Sequence, residues 1–388
     1  MIKKIKLAVI GFSYNHPTGQ KNIRTLEELA RRYPVNIDVV TVSKWKGYNI
    51  SRKLKKLERK NFRIHFLEPV YLSHVSLDFR YFMRGLLKKL KKINPDIIYV
   101  VDDPISINSF YSVICAKALK KKIFGFTWET LLRKRFFVVK LYEKFILKNM
   151  SLIIAGSKKS KEVLVKKGYP ESRIDVFPHI GVDINFFRKM KKNMCKKLKI
   201  KKNKTILFAG RLEKEKGIDT IFKAKEILEK AGKKYYYFFV GRGTLLDWIK
   251  SISEKDKMTK VLQWVEYKKL PEVYNSAEIF VYPSEKTELW EEQFGYSIVE
   301  AMACGLPVIA SKAPGPCEII NNGKDGFLVN KKDSSMMAKK IEYIMENKKK
   351  SNNLSKNAIK NAKRYSNKFV AEKLWAKITC INRRNEGD

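Results

Sequence analysis

The chain has 388 residues, 44 % of them hydrophobic, which is enough for two ordinary domains with cores of their own and too apolar for a disordered tail. Its 82 Lys and Arg against 39 Asp and Glu leave a formal net charge of +43, which draws anionic partners: a nucleotide, a membrane surface or a nucleic acid. The same excess also arises from a Lys-rich solvated surface, and neither aromatic RNP-like nor zinc-finger patterns accompany it.

The opening stretch MIKKIKLAVIGF has a basic head, but its apolar run ends after six residues, too short for a signal-peptide core or a membrane span; it reads as a first strand over 5–12. Further strands are expected at 37–42, 97–101, 123–127 and 152–155, with helical periods at 22–33 and 78–93 between them. The pattern restarts with strands at 205–209, 235–240, 261–265, 278–282, 307–310 and 326–329, and a terminal helix is expected at 366–380. Short β-branched runs alternating with helices specify parallel sheets covered on both faces. The stretch RKMKKNMCKKLKIKKNK has little apolar content and reads as a basic linker over 188–204. The expected organisation is an α/β chain of two doubly wound, Rossmann-like domains, 1–187 and 205–365, joined by that linker, with 366–388 packing back on the first. Two such sheets facing one another place ligands in a cleft at the carboxyl ends of their strands. The five cysteines are scattered and lack C-x-x-C spacing, which excludes a zinc or redox pair of that kind and fits a reducing compartment.

Three stretches carry chemistry. TILFAGRLEKEKG puts Gly210, Arg211 and Lys216 at the end of a strand, where a guanidinium fork and a mobile ammonium suit a diphosphate, although a solvated basic loop has the same composition. FVGRGTLL closes the next strand with Gly241 and Gly243; a G-x-G of this kind also marks a plain strand-to-helix turn. EEQFGYSIVEAMACG carries Glu292 and Glu300 on either side of a Phe-Gly pair, with Gly295 near a helix start. Glu292 alone is explained by the helix dipole. Glu300 is harder to explain that way, because Ile298, Val299, Ala301, Met302 and Ala303 leave it little polar face. Glu291 is adjacent but out of register and is expected to matter far less.

Over 205–330 the stretches FAGRLEKEKGIDTIFKA, LPEVYNSAEIFVYPSE, EEQFGYSIVEAMACGLPVIAS and PGPCEIINNGKDGFLV resemble, in order and spacing, the retaining glycosyltransferases of family four, which have the GT-B fold. The resemblance implies transfer of a hexose-type sugar from a nucleoside-diphosphate sugar to a glycan or lipid-linked acceptor. It implies that Glu300 accepts from the ribose hydroxyls, and that Glu292 with the N–H groups of Phe294 and Gly295 holds the donor sugar. Arg211 and Lys216 would grip the diphosphate, and Lys268 to Leu270 would lie against the base; Gly210, whose missing side chain lets a phosphate approach the backbone, and Gly241 are counted among the donor-binding positions. It implies neither a metal nor an organic cofactor, and VDDP at 101–104 is not the D-x-D of metal-dependent transferases. GT-B folds also host nucleotide-sugar epimerases, which lack this pair of motifs, and non-catalytic partner subunits.

The first half resembles the family more loosely. AGSKKSKEVLVKKGYPESRIDVFPHIGVDINFF matches the end of its first domain, with Ser157 placed to cap a helix, but P-H-I-G at 178–181 is one residue longer than the common P-N-G. FSYNHPTGQKN follows the first strand with Gly19 where many members have paired glycines; Thr18 and Gly19 are expected at the cleft and His16 as a loop histidine. The family's His after a middle strand is replaced by Trp128 and Glu129, and Asp102, Asp103 and Glu129 end strands as candidates for acceptor hydroxyls or for helix capping. The first 180 residues hold 38 basic against 14 acidic groups. DFRYFMRGLLKKLKKI and LLRKRFFVVKLYEKFILK read as basic amphipathic helices, a pattern that suits an anionic lipid surface and equally suits the cover of a sheet. A cytoplasmic enzyme that visits the inner membrane face is the resulting expectation, with nucleic acid not expected as a partner.

Overall fold

A computed structural model of the chain describes residues 4–15, 19–44, 58–72, 81–288 and 290–383. It divides into two compact units, one formed by Met1–Gly181 together with Asn367–Asp388, the other by Val182–Ser366.

The first unit is built on a parallel sheet of seven strands, β1 (Ile5–Ile10), β2 (Val35–Val42), β3 (Phe62–Leu67), β6 (Ile97–Val100), β7 (Lys122–Thr127), β8 (Ile153–Ala155) and β9 (Ile174–Val176), in the order β3-β2-β1-β6-β7-β8-β9. The short strands β4 (Pro69–Tyr71) and β5 (Tyr81–Met83) pair antiparallel beside it. The sheet strands are apolar on both sides because helices cover both faces. One layer joins Leu7, Val9, Ile37 and Tyr99 to helix α1 (Gly19–Arg32) and to the C-terminal helix Asn367–Arg383, whose Val370, Leu374 and Ile378 are buried there. The other joins Ala8, Ile10, Ile98 and Val100 to α2 (Leu86–Ile93), α3 (Ile107–Ala118) and α4 (Phe137–Asn149). Ser157 caps the next helix, α5 (Lys158–Lys166), by accepting from the Ser160 N–H.

Sequence pattern and structure part company at three places. Within the expected helix over 78–93, the described residues 81–93 form a strand and then a helix: Gly85 at φ 77° separates β5 from α2, so Met83 packs from a strand and Leu86, Leu90 and Ile93 from a helix. Phe79 and Arg80 lie outside the described residues. Strands β3 and β9, not foreseen, sit at the two edges of the sheet, where half-buried positions blur the apolar signal. The stretch 188–204 is no free linker. The Met190 and Met194 N–H groups donate to Asn275 and Ser276 at 2.9 and 2.8 Å, and Met194 and Ile200 are buried, so its few apolar residues fix it to the second unit. That unit begins at Val182, whose N–H donates to Tyr365 O at 2.8 Å, rather than after residue 187.

The second unit has a six-stranded parallel sheet: β10 (Thr205–Ala209), β11 (Tyr236–Val240), β12 (Thr259–Leu262), β13 (Ile279–Tyr282), β14 (Val308–Ser311) and β15 (Gly326–Val329), in the order β12-β11-β10-β13-β14-β15. The chain winds one way from β10 to β12 and the other way from β13 to β15, so the sequence order reverses between β10 and β13. The crevice at the carboxyl end of such a reversal is where open parallel sheets hold ligands.

Candidate active site

The loops that leave β10 and β13 bring together residues far apart in sequence. From the first comes Lys216, held in a single 3₁₀ turn, Lys214–Lys216, and from the second comes Glu292. The Lys216 ammonium lies 2.6 Å from Glu292 Oε2, and both side chains are almost entirely withdrawn from water. Tyr282, the last residue of β13, donates to the same Oε2 at 2.7 Å, Lys216 donates to the Tyr282 hydroxyl at 3.2 Å, and Ser284 approaches Oε2 at 3.4 Å. The ammonium also lies 4.1 Å from the centre of the Trp290 ring, a favourable placement for a cation on an indole face. Burial pulls the Lys216 pKa down, and the Glu292 charge works against that pull. Burial and the Glu292 charge together drive the Tyr282 phenol well above its ordinary range, so it stays a donor.

Arg211 sits on the same loop but is 58 % exposed, paired with Glu215 at 3.0 Å and facing Trp290 at 6.0 Å. The fold therefore offers one buried and one exposed cation at the reversal of the sheet. Gly210 and Gly241, expected to line the site, touch one another: a Cβ on Gly241, at φ 158°, would stand 1.8 Å from the Gly210 carbonyl oxygen. The two loops can run this close only because position 241 has no side chain.

Glu300 has a partner of its own. It is buried in the helix α10 (Tyr296–Ala303) and accepts from the Tyr274 hydroxyl at 2.8 Å. Tyr274 ends the short helix Leu270–Tyr274, which begins at the last residue of the Lys268–Leu270 segment expected against the base. The α10 N-cap is Gly295 at φ 97°, a left-handed conformation that glycine adopts without strain, and no side chain caps this helix end. The Phe294 ring turns inward onto Tyr296 and Tyr365, so only its backbone is left for a ligand. The Gly315 N–H donates to Glu292 O at 3.2 Å, fixing the loop from below.

Tyr282, Ser284, Trp290 and Tyr274 were not singled out in the sequence; a polar or aromatic residue at the end of a buried strand or two residues beyond it was the signal available for the first two. Glu291, expected to stand aside, is as buried as Glu292, and its Oε1 has no hydrogen-bond partner.

In the first unit Gly19 opens α1, whereas His16 and Thr18 lie outside the described residues. Each of the three strand-end acids there has partners within the first unit. Asp102 accepts from the Tyr81 hydroxyl at 2.5 Å, from Asn108 at 2.8 Å and from the Phe12 N–H at 3.4 Å, and burial raises its pKa to about 6. Asp103 accepts from Thr127 at 2.6 Å and from the Trp128 N–H at 3.1 Å. Neither caps a helix; Ser106 does that for α3. Glu129 is ion-paired with Arg135 and Lys167. His179 is half-buried against Phe126 at 4.2 Å with its Nδ1 withdrawn from water and unpartnered, and desolvation lowers its pKa to about 3. Among the described residues no group of three or more His, Cys, Asp or Glu is placed to hold a metal ion.

With this geometry in place, comparison with known proteins identifies the class. The pattern of the glycosyl transferases group 1 family matches residues 190–361, and that of glycosyltransferase family 4 matches 23–186. The chain belongs to this glycosyltransferase family, and its two Rossmann-like units are those of the GT-B fold. It is 24 % identical to the capsular polysaccharide biosynthesis glycosyltransferase CapM of Staphylococcus aureus over 88 % of this chain and 95 % of that one. It is 26 % identical, over 62 % of each chain, to the N,N'-diacetylbacillosaminyl-diphospho-undecaprenol alpha-1,3-N-acetylgalactosaminyltransferase of Campylobacter jejuni. Among solved structures, HepE of Anabaena in complex with UDP and glucose superposes with a TM-score of 0.72 at 20 % identity, covering 97 % of this chain and 99 % of that one.

Proposed function

We propose that the protein transfers a hexose-type sugar from a nucleoside-diphosphate sugar to a glycan or lipid-linked acceptor, with retention at the anomeric carbon. The observation that carries this reading is the Lys216–Glu292 pair at the point where the second sheet reverses. The Tyr282, Lys216 and Ser284 contacts all fall on Glu292 Oε2, which leaves Oε1 for a donor-sugar hydroxyl. A carboxylate accepts from hydroxyls without changing protonation, so it orients the sugar rather than exchanging a proton with it. Arg211, the exposed cation, meets the diphosphate first, and Lys216 stabilises the charge that develops as the nucleotide leaves. These two cations take the part a divalent metal plays elsewhere.

Glu300, steadied by Tyr274, accepts from the ribose, and the N–H groups at the uncapped start of α10 face the sugar and phosphate oxygens. The departing phosphate oxygen takes the acceptor's proton on the face where the acceptor attacks, which preserves configuration without a glycosidase-like carboxylate dyad. Structures of HepE with UDP and UDP-glucose support this donor class. The excess of positive charge supports a cytoplasmic enzyme that works at the inner membrane face.

A panel of nucleoside-diphosphate sugars, scored by thermal stabilisation and by release of the nucleotide, tests the proposal. At least one should bind, and Arg211→Ala and Lys216→Ala should each weaken that binding. Donor binding undiminished in both variants would remove the proposed site.

A further inference from the structure

The two basic amphipathic stretches of the first unit look alike in sequence, yet the structure treats them differently. In α2 the apolar residues Leu86, Leu90 and Ile93 are buried in the core and the lysines face outward. In the stretch that leads into α4 the apolar residues stay outside: Phe136 is 85 % exposed, Phe137 74 % and Val138 69 %, with Leu132 and Leu141 also exposed. Single exposed apolar residues are ordinary, but five within ten positions, two of them phenylalanines, form a patch that calls for a partner.

The charges around the patch say which partner. Arg133, Lys134, Lys140, Lys144 and Lys148 are exposed, and the only acid between 131 and 148, Glu143, is buried. Along α4 the sequence Phe137, Leu141, Lys144, Lys148 follows one face at helical spacing, apolar at the start and cationic toward the end. The presentation is braced from beneath. Arg135, between the exposed Lys134 and Phe136, turns inward to Glu129 and Glu143, and Lys167 bridges the same two carboxylates, reaching Glu143 at 2.6 Å. On the inner side Tyr142 and Phe145 pack on Phe110 at 5.8 and 5.4 Å. A two-fold association of copies through this face would set its cations against one another.

We infer that residues 132–148 are a membrane-docking surface for anionic lipid, with Phe136, Phe137 and Val138 entering the acyl boundary and the following cations meeting headgroup phosphates. An apolar tip followed by cations is the arrangement that binds such a surface from one side. The inference deepens the reading of a membrane-associated acceptor given above and rests on it for its purpose, but its test does not.

The test is co-sedimentation of the full chain with vesicles of phosphatidylcholine and phosphatidylglycerol, and with phosphatidylcholine alone. Binding should require the anionic lipid, weaken as salt is raised, and fall at least about tenfold in Phe136→Ser/Phe137→Ser and in Lys140→Glu/Lys144→Glu. Both pairs are exposed, and unchanged thermal unfolding will show that the fold is intact. Nucleotide release from a soluble donor sugar should be unchanged in both variants. Vesicle binding that survives both double variants, or no anionic-vesicle binding at low salt, overturns the surface even if donor turnover is normal. A shift in oligomeric state on Phe136→Ser/Phe137→Ser without any vesicle binding would assign the patch to a second copy instead. Vesicle binding without sugar transfer would sink the proposed function and leave the surface standing.

Discussion

Replacing Glu292 by alanine removes the partner of an ammonium that lies 2.6 Å away and is nearly sealed from water. Breaking a buried ion pair from one side usually costs about 3–5 kcal/mol, because the remaining charge is uncompensated. Lys216 keeps the Tyr282 hydroxyl at 3.2 Å and the Trp290 face at 4.1 Å. A desolvated cation on an aromatic face recovers roughly 1–2 kcal/mol, which brings the expected loss to about 2 kcal/mol. In a domain of roughly 150–250 residues that is a fall in Tm of about 4–8 °C. Scanning calorimetry of Glu292→Ala, Lys216→Met and the double variant completes a cycle. The double variant should regain most of the lost stability, with a coupling of about 1–3 kcal/mol, since neither charge is then stranded. Sugar transfer should not return with it. If the two stability losses simply add, the pair does not hold the loops together; if the double variant transfers sugar at the unmodified rate, the pair is not the active site.

Other consequences are measured in similar ways. Glu300→Ala should raise the donor Kd by about tenfold or more, the usual worth of a hydrogen bond to a charged group, with a smaller effect on turnover than Glu292→Ala; isothermal titration and kcat measured side by side would expose equal indifference. Gly241→Ala should lower Tm and donor affinity together, because its methyl would meet the Gly210 carbonyl oxygen at 1.8 Å; a variant with unchanged stability would show that the loops separate freely. His179 is held neutral down to about 3, below its usual 6.5, so the unfolded chain binds the extra proton first as the pH falls. Stability should therefore be intact above pH 6.5 and decline below it by up to ~1.4 kcal/mol per pH unit until the folded-state value is reached, and chemical denaturation of His179→Phe should lack that part of the acid limb.

How far the sequence speaks depends on how many constraints act on each residue. Strands such as Thr205–Ala209 and Ile279–Tyr282 are buried on both faces, and their unbroken apolar runs announce them. Phe62–Leu67 is only partly covered, and its alternating Arg63 and His65, which face Asp38, conceal a strand. The motif stretches could be placed at a strand end and a helix start because a glycine after an apolar run and a carboxylate within an apolar helix are local signals. The pairing of Lys216 with Glu292 does not follow from spacing, since it depends on which two strands become neighbours at the reversal of the sheet. The same limit applies to the two basic amphipathic stretches. Composition alone does not distinguish an apolar face laid on a sheet from one left in water, and only the turn at Gly85 and the inward turn of Arg135 separate α2 from the stretch leading into α4.

The C-terminal helix Asn367–Arg383 belongs to the first unit although it follows the whole of the second. That unit is discontinuous in the gene, so a single cut cannot yield both halves intact. A chain ended at Ser366 would keep the complete second sheet but leave the layer around α1 without Val370, Leu374, Ile378 and Ile381. During synthesis the order of completion is reversed as well: all of the second unit's residues are made before the helix that completes the first.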